Sequence, residues 1–498
     1  MKKILLSFLM LPSALLAQKN FVDILPADTE KDIIQKAANV IPSSRQLRWQ
    51  QLELTAFFHF GVNTFTNREW GLGNEAESIF NPVELDAKQW VRTVKEAGFK
   101  QVIITAKHHD GFCLWPSKFT EHSVKNSPYK NGKGDVVKEV ADACKLYGIG
   151  FGVYLSPWDR NSALYGDYEK YNQYFMNQLT ELLTSYGKVD EVWFDGANGE
   201  GPNGKKQEYN FAAWYQLIRK LQPSATIAIM GPDVRWVGTE SGEGRETEWS
   251  VVPVEAQSQE AVAANSQSDI AFAPKGDMMG NDLGSRDKIV HAKKLVWYPA
   301  ETDVSIRPGW FYHPEEDSAV KSADELMRIY FSSVGRNGVL LLNIPPDKRG
   351  LINEADVKNL RAWKEKYEAV FSNNLLKGAT AKSFNGSNNT LLNDGKFQTY
   401  ALAKANDTTG IIEFELKQNS TFNVLMLQEY IAKGQRIEKF SADYFDNGSW
   451  IKFAEGTTVG YKRLLKFDNV TASKVRINIE ASRLNPMISE VGLYKLNE

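Results

Sequence analysis

The stretch Val189-Asp190-Glu191-Val192-Trp193-Phe194-Asp195-Gly196 is a largely apolar run that ends abruptly on a carboxylate. A glycine-rich loop, Ala197-Asn198-Gly199-Glu200-Gly201-Pro202, follows at once. The run reads as a β-strand with Asp195 at its C-terminal mouth, where α/β barrels place their chemistry. An Asp before Gly also reads as an ordinary turn residue capping the next element. The surrounding sequence has to separate the two readings.

Working outward, strand and helix patterns alternate. Strands are predicted over 54–65, 101–109, 150–155, 189–194, 226–230, 294–299 and 339–343. Helices are predicted over 86–98, 135–147, 168–186, 211–221, 323–333 and 354–371. In the 135–147 helix, Val137, Val140, Ala141 and Cys144 share one face. Periodicity weakens between about 238 and 293. Short βα connections of this kind predict a parallel sheet, closed or doubly wound. Four strands end in polar or aromatic clusters: His59, His108-His109, Trp158-Asp159 and Asp195. Groups at the ends of many strands suit a barrel rim, whereas an open sheet gathers them at one switch point. No G-x-G-x-x-G or P-loop follows the first strand, which counts against a nucleotide fold.

Beyond about residue 374, Gly, Asn and Ser become frequent and β-type runs replace helices, at 411–416, 421–428, 440–444, 463–467 and 474–479. That spacing predicts an antiparallel β-sandwich. The expected fold is therefore α/β, a (β/α)8-like TIM-type barrel over 18–372, followed by a sandwich over 373–498 that braces the barrel or binds glycan. Residues 1–17 read as a secretory signal: a basic start (Met1-Lys2-Lys3), an apolar run from Ile4 to Leu16, and cleavage near Ala17-Gln18. Export to the periplasm or beyond is the expectation. No later segment has the roughly 18 apolar residues of a membrane span.

Composition narrows the function classes. At 498 residues the chain exceeds one ordinary domain, and its formal charge of -2 gives no reason to expect nucleic acid or an anionic membrane as partner. The 13 Trp, 19 Tyr and 26 Phe suit sugar faces, and equally suit a large core. Cys113 and Cys144 are the only cysteines, so no disulfide framework exists and a structural zinc site is disfavoured.

All six histidines lie at or before residue 313, and His59, His108 and His109 fall at strand ends. A lone strand histidine is usually a satisfied core residue; three at one rim point to a pocket. Neighbours on a strand face opposite ways, so His108 and His109 are not expected to chelate one metal. A glycosidase needs two carboxyl groups. Asp195 is the first candidate, and Glu69, Glu200, Glu240, Glu243, Glu246 and Glu248 compete to be the second.

Six strings then carry a resemblance: His59-Phe60-Gly61-Val62-Asn63-Thr64-Phe65, Glu69-Trp70-Gly71, Thr105-Ala106-Lys107-His108-His109-Asp110-Gly111-Phe112, Trp193-Phe194-Asp195-Gly196, Ser305-Ile306-Arg307-Pro308-Gly309-Trp310 and Leu341-Leu342-Asn343-Ile344-Pro345-Pro346-Asp347. Together they resemble glycoside hydrolase family 29, the retaining α-L-fucosidases, in order over about 50–370. The ending Ser489-Glu490-Val491-Gly492-Leu493-Tyr494 is similar to that family's C-terminal module. The resemblance implies a catalytic barrel, Asp195 as nucleophile and no cofactor or metal. Trp236-Val237-Gly238-Thr239-Glu240-Ser241-Gly242 resembles the subgroup that cleaves α-1,3/1,4-linked fucose on Lewis-type branched glycans, with Thr239 standing where Asn is usual. That makes Glu240 the implied acid/base. It also implies that His59, Glu69, Trp70, His108, His109, Trp158 and Trp310 bind the fucose of an oligosaccharide or glycoconjugate. The competing readings are a catalytically inactive glycan-binding protein and a barrel glycosidase of another sugar.

Overall fold

The computed structural model describes residues 19–254, 282–384 and 389–497. The segment read as a secretory signal and part of the weakly periodic loop region lie outside the described residues.

Eight parallel strands form one sheet: β1 (Leu54–Phe58), β2 (Gln101–Lys107), β3 (Gly150–Leu155), β4 (Glu191–Phe194), β5 (Thr226–Ile229), β6 (Arg235–Trp236), β7 (Ala300–Ser305) and β8 (Val339–Asn343). Their order, β5-β4-β3-β2-β1-β8-β7-β6, runs through the chain sequence like a nearly closed barrel. The gap between β5 and β6 is tied by Asp233, whose carboxylate accepts from Ile227 N at 2.9 Å and whose own N–H donates to Ile227 O at 3.3 Å. Arg45 and Arg219 pair with that carboxylate.

Six helices cover the sheet: α1 (Ala87–Glu96), α2 (Val136–Tyr147), α3 (Tyr168–Ser185), α4 (Phe211–Leu221), α5 (Ala323–Ser332) and α6 (Glu354–Phe371). Each begins at a side chain that accepts from a first-turn N–H: Asp86, Asp135, Asp167, Asn210, Ser322 and Asn353. No helix separates β5 from β6. Between β6 and β7 the chain instead lays Val251–Pro253 and Lys294–Trp297 into a small antiparallel sheet with Phe21–Asp23. The strand predicted over 294–299 is thus real but stands outside the barrel. The barrel strand is the acidic Ala300-Glu301-Thr302-Asp303-Val304-Ser305 that follows. The strand predicted over 54–65 ends at Phe58, and Val62–Thr66 is helical.

Alternation along β4 and β7 stacks polar groups in the barrel interior. Glu191, Trp193 and Asp195 rise on β4 and its mouth; Glu301 and Asp303 rise on β7. Trp193 Nε1 donates to Glu301 Oε1 at 2.7 Å, and Trp236 Nε1 to Asp303 Oδ1 at 2.8 Å. Gln101 Nε2 and Trp49 Nε1 donate to Glu191 Oε2 at 2.5 and 3.2 Å. Burial pushes Glu191 up to about 8. Burial, then the Glu191 charge, holds Glu301 well above the carboxylate range. A carboxyl raised this way keeps its proton in the folded chain while the unfolded chain loses it, so its contribution to stability falls as pH rises from 4.5 towards 8. Glu191→Gln keeps the acceptor for Gln101 and Trp49 and removes the titration. We expect its stability to overtake that of wild type progressively between pH 5 and 8, by on the order of 3 kcal/mol at the upper end, read as a melting-temperature difference that widens with pH. A parallel pair of melting curves across that range would contradict it.

The C-terminal module is antiparallel: β9 (Thr380–Lys382), β10 (Ala401–Leu402), β11 (Gly410–Glu429), β12 (Ile437–Asp446), β13 (Ser449–Gly456), β14 (Arg463–Ser482) and β15 (Met487–Tyr494). The order is β10-β15-β11-β14-β12-β13, with β9 on β11. The short runs at 411–416 and 421–428 are one strand, as are those at 463–467 and 474–479; register shifts break each pairing midway. Phe414, Phe422, Phe440, Val475 and Ile477 fill a core of the module's own. Its seam with the barrel is apolar where Val424, Met426, Leu464 and Tyr494 join the barrel's core, and polar beside that. Lys462 Nζ meets Glu53 Oε1 at 2.7 Å, Tyr330 Oη donates to Glu53 Oε2 at 3.0 Å, and Arg463 holds Glu246 at 2.9 Å. Glu53 precedes β1, so this part of the seam lies at the barrel end opposite Asp195. Cys113 and Cys144 are free, buried thiols.

Candidate active site

The C-terminal ends of β1, β2, β3, β4, β7 and β8, with the loop after β6, gather the candidate residues. Asp195 follows β4 directly. Its Oδ1 accepts from Ala197 N at 2.7 Å, the turn expected of an Asp before Gly. Its Oδ2 accepts from Tyr154 Oη at 3.1 Å and lies 3.8 Å from His109 Nε2. The turn fixes one oxygen of Asp195 and leaves the other beside Tyr154 and His109 at the mouth of β4. Tyr154 is at the last inward position of β3, stacked on Trp193 with centroids 5.2 Å apart.

Lys107 is the last residue of β2, so His108 and His109 lie in a turn rather than on a strand. Their rings are neighbours, 4.1 Å apart, instead of facing opposite ways. Asp110 makes this turn: its Oδ1 takes Phe112 N at 2.7 Å and its Oδ2 takes Asn63 Nδ2 at 3.1 Å. Burial raises Asp110 to about 6. Ser156 Oγ donates to Trp158 O at 2.6 Å, so it accepts from His109 Nδ1 at 2.8 Å. That leaves His109 Nε2 bare, facing Asp195. At His59, Asn343 donates its amide to Ser305 Oγ (2.9 Å) and Trp310 O (2.7 Å). Its Oδ1 then accepts from His59 Nδ1 at 2.9 Å, and Nε2 again carries the lone pair. Burial depresses all three histidines, His59 to about 3, so they stand neutral.

Glu240 sits on the loop after β6. Val237 N donates to Glu301 O at 2.9 Å and Gly242 N to Asp303 O at 3.0 Å, pinning both flanks to β7. Gly242 has φ +73°, and a Cβ there would meet Val304 and Ile329 at 2.9 Å. Thr239 is buried and takes Ser241 N at 3.0 Å, so it braces the loop. Trp310 Nε1 donates to Glu240 Oε2 at 3.0 Å. Burial raises Glu240 to about 7 against that hydrogen bond, and the Asp195 and Glu69 charges add to the rise.

Glu69 is fully engaged. Trp310 N and Phe311 N donate to it at 2.8 and 3.1 Å, and His313 Nε2 lies 2.6 Å from its Oε1. Gly309 allows the approach, since a Cβ would fall 2.7 Å from Glu69 Oε1. Trp310 in turn packs on His59 at 5.1 Å. Trp158 donates to Glu200 O at 3.0 Å and lies 5.0 Å from the His109 ring. Trp70 is half-exposed and meets Trp158 and His109 edge-on at 5.4 and 5.6 Å.

The other acids face elsewhere. Glu243 pairs with Arg328 at 2.5 Å on the surface, Glu246 joins Arg336 and Arg463 at the module seam, and Glu248 is buried between Arg235 and Arg245. Glu200 contributes its carbonyl to Trp158. Glu240 is thus the acid of that set that shares the pocket with Asp195 and the aromatic wall. Sequence reasoning missed Tyr154, Ser156 and Asp303, and gave Asn343 no role. The inward alternation of β3, Gly150-Gly152-Tyr154, was the one signal for the tyrosine.

An eight-stranded barrel with a carboxylate at the β4 mouth, a second carboxyl held near neutrality, and a wall of indoles and neutral imidazoles is a glycoside-hydrolase site. The comparisons name the family. The α-L-fucosidase profile matches residues 35–366. Alpha-L-fucosidase 1 of Arabidopsis thaliana is 45% identical over 466 residues, covering 91% of this chain and 87% of that protein. A candidate α-L-fucosidase from Bacteroides ovatus superposes with a TM-score of 0.86 at 50% identity, over 96% of this chain and 78% of that one. A Ruminococcus gnavus GH29 fucosidase, solved in complex with fucose, gives 0.79 at 34% identity over 92% and 96%. The chain belongs to the α-L-fucosidase family, glycoside hydrolase family 29.

Proposed function

We propose that this fucosidase releases α-1,3- or α-1,4-linked fucose from Lewis-type branched glycans by double displacement, with Asp195 as nucleophile and Glu240 as acid/base. One observation carries the reading: the Glu240 carboxyl accepts from Trp310 Nε1 at 3.0 Å, in the aromatic wall that includes His59, and burial there raises it to about 7. Asp195 Oδ2 attacks the anomeric carbon as Glu240 gives its proton to the departing oxygen, forming a fucosyl-enzyme. Water, deprotonated by Glu240, then attacks the same carbon and restores the α-anomer. The bare Nε2 atoms of His59 and His109 accept from sugar hydroxyls, with His108 and Trp158 completing the polar side. The Trp310 face takes the C6 methyl group. Glu69 acts largely through Trp310, and Trp70 offers an exposed face at the rim. The leader supports export, to the periplasm or outside.

The linkage preference rests on the resemblance of the loop around Glu240, Trp236 to Gly242, to the subgroup that cleaves fucose beside a branching sugar. Remote binding energy of that kind lowers the barrier itself, so truncated substrates lose kcat as well as affinity. Lewis trisaccharides should be cleaved much faster than an H-type trisaccharide carrying α-1,2-fucose on galactose. Equal or faster release from the α-1,2 linkage would end the linkage assignment and leave the fucosidase assignment standing. Proton NMR of the first-formed fucose should show the α-anomer, and a ligand-bound structure should place the two carboxyls about 5–5.5 Å apart.

A further inference from the structure

We propose that the outer face of the C-terminal module is a second carbohydrate site, which takes a neutral, hydroxyl-rich glycan chain in the groove between Trp450 and Lys382.

The groove, about 170 Å³, is lined by Thr380, Lys382, Glu413, Glu415, Lys474, Phe445 and Trp450, with the Phe414 backbone as floor. Strand alternation puts these side chains on one face: Ala381, Phe414 and Val475 between them are buried in the module core, whereas Thr380, Lys382, Glu415 and Lys474 are exposed. Cross-strand pairing sets them in rows. Thr380 faces Glu415, and Glu415 faces Lys474; Lys382 faces Glu413, and Glu413 faces Arg476. Phe445 faces Trp450 across the β12–β13 hairpin, their rings 5.2 Å apart. Phe445 stays 38% exposed, a large apolar surface left open at the groove end. Trp450 is fixed by Arg476, whose guanidinium lies 4.5 Å from the ring and is itself held by Asp443 at 2.7 Å.

This chemistry selects its occupant. Two lysines and two glutamates line the groove, so its charge cancels and neither a polyanion nor a polycation is favoured. Lysine and carboxylate side by side offer donor and acceptor to vicinal hydroxyls, and an indole–phenyl pair offers an apolar face to sugar C–H bonds. Peptides and lipids would want more apolar area than one such pair supplies. A second hold on the glycan would raise the local concentration of its fucosylated ends at the barrel.

The test uses the full chain and glycans that carry no fucose, so that it succeeds or fails independently of the proposed reaction. Wild-type protein should be retarded in affinity electrophoresis through gels containing poly-N-acetyllactosamine or arabinogalactan. Trp450→Ala and Phe445→Ala should each weaken that retardation about tenfold, with kcat/KM on an aryl α-fucoside unchanged. Should an aromatic variant melt early, the surface pair Lys382→Met with Glu413→Gln gives the same reading without touching the core. Wild-type migration unaffected by either polymer, or equal retardation of all variants, would overturn the proposal and leave an ordinary solvated sheet face.

Discussion

Replacing Asp195 by Ala should abolish turnover, by on the order of 10⁴-fold or more in kcat, because the covalent step has no other carboxylate to take it over. The fold should survive. Among the described residues Asp195 bonds to Ala197 N within its own turn and to Tyr154 Oη, and no lysine or arginine pairs with it. His109 is already depressed by burial and would lose the one charge that favours its protonation. The empty place beside Tyr154 then admits a small anion. Azide should partly restore the rate on an aryl α-fucoside and give β-fucosyl azide, since it attacks from the side the carboxylate has vacated. Substantial activity without azide, from protein with a native circular dichroism spectrum, would mean the nucleophile lies elsewhere.

The barrel was legible wherever its chemistry is conventional. β3, α4, β8 and α6 fall at their predicted bounds because apolar periodicity and an adjoining Asp, Asn or Gly mark them. β7 was not legible. Ala300-Glu301-Thr302-Asp303 looks like a loop, and the Val- and Trp-bearing Lys294–Trp297 beside it looks like the strand. What makes β7 a strand is tertiary: Glu301 and Asp303 point into the barrel, where each accepts an indole N–H, from Trp193 of β4 and Trp236 of β6. β6 has two residues and no period to detect. The same limit applied at the site. Motifs marked Asp195, Glu240 and the histidines, but a residue's partner is a matter of three dimensions. His108 and His109 converge because Asp110 turns the chain immediately after β2, which strand alternation could not foresee. Tyr154 and Asn343 were given no role by the sequence and carry hydrogen bonds to Asp195 and His59.

Glu240→Ala should divide substrates by leaving group. A Lewis trisaccharide must have its departing oxygen protonated, and the loss there should be about 10²–10⁴-fold. A 2-chloro-4-nitrophenyl fucoside departs as a stable phenolate and should react at nearly the wild-type rate in the first step. Burial foremost, and the Asp195 charge after it, hold Glu240 near 7. The acid is competent only while protonated, so wild-type kcat/KM on the trisaccharide should fall as pH rises through about 7, and that limb should be missing from the variant's aryl-fucoside profile. Under the proposed mechanism the arrangement also lets one carboxyl serve both steps. Once Asp195 is esterified by fucose its charge is gone, its share of the rise vanishes, and Glu240 becomes a stronger acid, better able to be ionised when it must accept a proton from water. Trp310 follows the same logic: its Nε1 donates to Glu240 and steadies the ionised form against burial. Trp310→Phe should therefore move the alkaline limb further upward in pH. Equal losses on both substrates in Glu240→Ala would instead place the acid elsewhere on the loop, at Glu246 or Glu248, which would first have to leave their arginines.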